Sequence, residues 1–72
     1  MNLTAVYVRQ GEWIAAWIAE MPGVNTQAVT MEEARINLRD ALEMMLEDLR
    51  AETESELVGQ EVIEREVLPL AA

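Results

Sequence analysis

The chain contains no cysteine, histidine, lysine or phenylalanine, and only three glycines and two prolines. Without cysteine no disulfide can staple the fold, and the loss of both cysteine and histidine excludes the usual zinc ligand sets. The same absences exclude nucleophilic catalysis through Ser-His or Cys-His arrangements. The glycines, at positions 11, 23 and 59, are too scattered to form a GxGxxG or GxxxxGK phosphate loop. Positive charge is also scarce: five Arg oppose fourteen Asp and Glu, which gives a net charge of −9. Such a surface repels polyanions, so direct binding to DNA or RNA is not expected, whereas a basic protein is a suitable partner. No apolar run approaches the ~20 residues of a membrane span, and the first residues lack the basic and apolar regions of a signal peptide. A cytoplasmic protein with no membrane partner is expected.

What remains is a 72-residue chain with room for one domain spanning residues 1–72. A core of that size is marginal by surface scaling, and with no staple available self-association or a protein partner is the expected source of further stability.

Residues 3–8 (LTAVYV) and 12–20 (EWIAAWIAE) are rich in β-formers and read as two strands joined at Gln10-Gly11, where glycine accepts a positive φ. A two-residue turn there sets Arg9 opposite Glu12 and Val8 opposite Trp13. One face then carries Leu3, Ala5, Tyr7, Ile14, Ala16 and Ile18, and the other Thr4, Val6, Val8, Trp13, Ala15 and Trp17. Both faces are apolar. The small residues of the first face suit a closely seated helix, which leaves Val6, Val8, Trp13 and Trp17 for another protomer, the C-terminal segment or a different protein.

Glu20-Met21-Pro22-Gly23 predicts a turn, because Pro-Gly supplies type II dihedrals, and residues 24–29 (VNTQAV) predict a short third strand. Thr30, followed three residues later by Glu33, forms a capping box that starts a helix at Met31. Met31, Ala34, Leu38, Ala41, Leu42, Met45 and Leu49 then recur at steps of three and four, one apolar stripe of a helix reaching about residue 51. Ile36, Met44 and Leu46 widen the apolar surface beyond that stripe. The acidic stretch 52–56 predicts a frayed helix end or loop, residues 57–59 are ambiguous, and residues 62–70 (VIEREVLPL) predict a fourth strand with Pro69 at its end.

Candidate chemistry is confined to carboxylates and aromatics. Glu43 and Glu47, with Asp40 and Asp48 nearby, have spacing compatible with Mg²⁺ or Ca²⁺. A solvated acidic face, with Arg39 and Arg50 as surface partners, explains the same residues more simply, so neither a metal nor any other cofactor is assigned. Trp13 and Trp17 share a strand face; they either fill a core covered from elsewhere, or stack a planar ligand or anchor a partner. Met31, Met44 and Met45 at helical spacing read as core filler before they read as an adaptable binding surface.

The order of hairpin, Glu20-Met21-Pro22-Gly23, short strand, Thr30-Met31-Glu32-Glu33-Ala34 and Asn37-Leu38 resembles the HicB family of antitoxins over essentially the whole chain. Met21 and Met31 stand where the family has Leu, and Val24 where many members have Cys. The resemblance implies an α+β domain of order β-β-β-α-β, an antiparallel sheet with one long helix packed on one face, often described as a partial RNase H-like fold. It also implies a non-enzymatic role: members neutralise HicA, a small basic mRNA-cutting toxin, by covering its active surface. Full-length antitoxins usually append a DNA-binding domain, and none is expected here. On this reading the toxin meets the exposed acids Glu32, Asp40, Glu43 and Glu47 with the Pro22-Gly23 turn, while Val6, Val8, Trp13 and Trp17 form an oligomer or partner face. The alternative is a homodimeric or higher-order structural or regulatory module with no toxin.

Overall fold

The structure, a computed structural model, describes residues 2–69. Three strands, β1 (Ala5–Gln10), β2 (Trp13–Ile18) and β3 (Met21–Ala28), form an antiparallel meander of order β1-β2-β3, and one helix, α1 (Met31–Glu56), crosses one face of it. The coarse architecture is therefore α+β, as the sequence predicts.

The first hairpin turns one residue later than predicted. Gln10 pairs with Trp13, Arg9 with Ile14 and Val8 with Ala15, so the loop is Gly11-Glu12. Gly11, at φ +63°, is its only residue with positive φ, the pattern of a type II′ turn with glycine in the first central position. Relative to the predicted register the strands slide by two residues, which preserves side-chain parity. Both predicted face sets consequently survive the shift.

The second connection departs further. Ile18 pairs with Met21, so the turn is Ala19-Glu20 and the strand begins at Met21, inside the segment predicted to be a turn. The next pair is Trp17 with Asn25, which leaves Pro22, Gly23 and Val24 unopposed as a bulge. Asn25 Nδ2 donates to the carbonyls of Pro22 (3.2 Å) and Gly23 (3.3 Å) and holds it. Proline is tolerated because β3 is an edge strand and the bulge interrupts the ladder anyway. The bulge re-aims Val24 into the core, where it is buried, and brings Gly23 beneath the Met45 methyl.

Thr30 adopts extended backbone and its hydroxyl accepts from Glu33 N–H at 3.2 Å, so the helix starts where the capping signal places it. Glu32 and Glu33 in the first turn complement the helix dipole. The other end corrects the sequence reading: residues 52–56 are helical. Ala and Glu are strong helix formers, and no glycine or proline intervenes before Gly59, whose φ of +81° marks where the chain leaves the helix.

The core is small and lies between sheet and helix: Ile14, Ala16, Ile18, Val24 and Ala28 from the sheet meet Ala34 and Leu38 from α1. Alanines at 16, 28 and 34, each almost wholly buried, let the helix backbone approach the strands closely. Tyr7, Met21, Met31, Ala41, Leu42 and Met45 pack around this centre, so Met31 and Met45 serve as the predicted core filler.

The predicted fourth strand is absent from the single chain. Residues 60–69 carry no strand, and Ile63, Val67 and Leu68 are 97%, 94% and 73% exposed; Leu70 lies outside the described residues. β-forming composition specifies a strand only where an edge is in reach to pair with. Here the segment stays beside the far end of the helix, where Arg65 donates through both terminal nitrogens to the Glu54 carboxylate.

Candidate interaction surfaces

Three surfaces emerge, and they differ in charge. The first is the outer face of α1. With ~100° of rotation per residue, Glu32, Asp40, Glu43 and Glu47 project away from the stripe formed by Ala34, Leu38 and Met45. All four are exposed. Among the described residues the one ion pair is Arg65 with Glu54, so the expected Arg39 and Arg50 pairs with Glu43 and Glu47 are not formed and these acids remain unneutralised. Ile36 and Met44, 55% and 64% exposed, lie among them. The surface is thus an acidic field with apolar points, a composition suited to a basic protein partner.

The Pro22-Gly23 element does not join this surface. Gly23 lies against Met45, on the sheet side of the helix, so the site predicted from these six residues divides into an outer acidic face and a separate bulge. Nor do the acids converge: among the described residues no three Asp or Glu side chains are placed to share a cation.

The second surface is the sheet face opposite the helix. The pairs Val6 with Trp17, Val8 with Ala15 and Gln10 with Trp13 place these side chains together, and Asn25 and Gln27 flank them on β3. Trp13 is 51% exposed and Val8 39%; Val6, Ala15 and Trp17 are half-buried. No strand residue on this face is charged. The tryptophans stand four residues apart in β2, about 13 Å along a strand, too far for both to stack on one planar ring. The planar-ligand reading is therefore corrected, and the face is a neutral apolar platform that no described element covers.

The third surface was not singled out by sequence. Because α1 packs over β3 and β2, an open groove of about 180 Å³ remains between the helix and β1, lined by Leu3, Ala5, Ile18, Leu38 and Leu42 with Arg35 and Arg39 at its rim. The Arg35 guanidinium lies 5.9 Å from the Tyr7 ring centroid, within cation–π range. This is the positive corner of a protein whose charge is otherwise negative. Its only sequence signal is that Arg35 and Arg39 lie four apart beside the apolar stripe, at the helix end above the hairpin.

One electrostatic contact closes the hairpin base. Thr4 N–H donates to Glu20 Oε1 at 2.6 Å, and this backbone hydrogen bond holds the Glu20 carboxyl below the ordinary carboxylate range. Ala19 N–H donates to Thr4 O at 2.8 Å alongside it. Among the described residues no helix is long and apolar enough to cross a membrane. No protein-family model, curated protein or solved structure matches the chain.

Proposed function

We propose that the chain is a HicB-like, antitoxin-type binding protein that neutralises a HicA-type mRNA-cleaving toxin by masking its active surface, and that it breaks no bond itself. The observation that carries this reading is the outer face of α1, where Glu32, Asp40, Glu43 and Glu47 are exposed and lack cationic partners. A small ribonuclease must present basic groups to hold RNA phosphates. An acidic helix face meets those groups, and Ile36 and Met44 supply apolar contact once the two proteins touch. Masking is then steric, and the long-range field accelerates encounter. The three-stranded sheet and helix agree with the first four elements of the partial RNase H-like arrangement that the reading assumes, and the site of action is the cytoplasm, where mRNA is cut.

The test is titration of the chain into an mRNA-cleavage assay containing a HicA-type toxin. Protection of the mRNA should be complete at a fixed stoichiometric ratio. Cleavage that continues unchanged at excess chain refutes the reading.

A further inference from the structure

We propose that the chain forms a homodimer in which two α1 helices pair antiparallel about a two-fold axis between Glu47 and Asp48, so that the distal half of each helix lies over β1 of the other copy, in the groove rimmed by Arg35 and Arg39. This association concerns the chain with itself and does not depend on the toxin reading.

α1 outgrows its own sheet. It has 26 residues, about 39 Å, against about 27 Å for the eight residues of β3. Met45 is the last helix residue packed on the core, so residues 46–56, about 17 Å of helix, run beyond it. A helix of that length is marginal without tertiary support. This one also ends against its own dipole: Glu52, Glu54 and Glu56 approach the C-terminus, the last turn holds no basic residue, and among the described residues Glu54 alone has a cationic partner. The distal half therefore lacks both an apolar support and positive charge.

Besides the stripe on the sheet, the helix carries a second one. Arg39, Leu42, Leu46, Leu49, Thr53 and Glu56 recur at alternating steps of three and four, the 3.5-residue period of paired helices. Both halves of this stripe are open. Arg39 and Leu42 line the groove of about 180 Å³ beside β1, and Leu46, Leu49 and Thr53 line a second cavity of about 270 Å³ along the overhang, with Arg65 at its rim. The groove has the width of a helix: β1 lies about 10 Å from β3, and packed helices stand ~8–10 Å apart, so a helix laid beside α1 sits over β1.

Charge selects the partner and the register. With the axis between Glu47 and Asp48, Leu46 meets Leu49, Leu42 meets Thr53 and Arg39 meets Glu56 of the other copy, each contact occurring twice, and Arg50 lies beside Glu43 along one rim. Arg35, one turn further, reaches the negative end of the partner helix. Sliding by one heptad sets Glu43 on Glu43 or Arg50 on Arg50, and parallel pairing sets Arg39 on Arg39, so like charges oppose every alternative. The two sheets do not collide, because each lies under the first half of its own helix, short of the axis. Glu43 is drawn to the rim, while Glu32, Asp40 and Glu47 stay on the outer surface. Area suffices as well. The accessible surface of one chain, 6046 Å², exceeds by about 1,500 Å² the roughly 4,500 Å² expected for a folded monomer of this mass, and a standard interface takes about 800 Å² from each partner.

Sedimentation of the full chain, read beside circular dichroism, tests this. The expected species at micromolar concentration is a dimer. Leu46→Gln with Leu49→Gln, at positions outside the single chain's core, should raise its dissociation constant by roughly 100-fold or more. Arg39→Glu and Glu56→Arg should each weaken the dimer by about tenfold or more. The two combined in one chain should restore it, which a folding defect cannot do. Spin labels on Asn37→Cys, a unique cysteine in a chain that has none, should have a mean separation above about 31 Å, the axial offset of the antiparallel register. A monomeric wild type overturns the proposal. So does an Arg39→Glu/Glu56→Arg chain that associates no better than either single variant, or a label separation below about 25 Å, as parallel helices ~8–10 Å apart would give. A dimer that survives Leu46→Gln/Leu49→Gln but is lost in Trp17→Gln assigns association to the neutral sheet face and overturns it as well.

Discussion

Leu38→Ala is the most demanding test of how α1 is held. Leu38 is 2% exposed and packs with Ile14, Ala16 and Ile18 at the centre of the small core. Truncation removes three carbons, about 2.4 kcal/mol of transfer free energy at ~0.8 kcal/mol per methylene. A residual cavity of about 40 Å³ adds roughly 1 kcal/mol at ~24 cal/mol per Å³. The expected loss is thus ~3 to 4 kcal/mol. A domain of 72 residues has only about 4 to 11 kcal/mol in total at ~0.05 to 0.15 kcal/mol per residue. A melting temperature lower by roughly 12 to 30 °C should result, at ~4 to 8 °C per kcal/mol. The assay is urea unfolding at one fixed protein concentration, because association contributes to apparent stability. Ile36→Ala is the control: Ile36 belongs to the same helix but is 55% exposed, and its truncation should cost under about 1 kcal/mol. Equal losses at 38 and 36, or a Leu38→Ala loss below about 1 kcal/mol at unchanged m-value, would refute the reasoning.

Two further outcomes follow from single contacts. Thr30→Ala removes the hydroxyl that accepts from Glu33 N–H and should cost about 1 kcal/mol in urea unfolding, with Thr30→Ser retaining most of the stability. The Glu20 carboxyl, held low by the Thr4 N–H, should titrate in an NMR experiment below glutamates that receive no such bond. Because its folded value lies under its unfolded one, its stabilising contribution is complete above the unfolded pKa and disappears as pH falls through the folded pKa. The stabilities of wild type and Glu20→Ala should accordingly differ at neutral pH and converge in acid.

The elements legible in sequence were those fixed by local chemistry. Thr30 and Glu33 mark the helix start because a cap is a contact within one turn, and the stripe from Met31 to Met45 marks the buried helix face. The hairpin faces were legible despite a wrong register, since the error of two residues preserves parity. Pro22-Gly23 misled because the same dipeptide serves a turn or an edge-strand bulge, and the choice depends on the pairing of Ile18 with Met21 across the strands. The end of α1 was misplaced because acidic composition resembles a loop even where Ala and Glu favour helix. The fourth strand expected at residues 62–70 does not form in residues 62–69, because β-forming composition makes a strand only beside an edge to pair with, and the location of such an edge is not a property of the segment itself. The Arg35 and Arg39 groove escaped notice because it exists only where a helix passes over β2 and leaves β1 uncovered.

The central claim, that an unneutralised acidic helix face captures a basic toxin, is tested most directly by stopped-flow association of the two proteins at low and high ionic strength. Wild type should associate more slowly as salt rises, and Asp40→Asn/Glu43→Gln/Glu47→Gln should be slower at low salt with its helix content intact. An association rate indifferent both to salt and to these three substitutions would contradict the account.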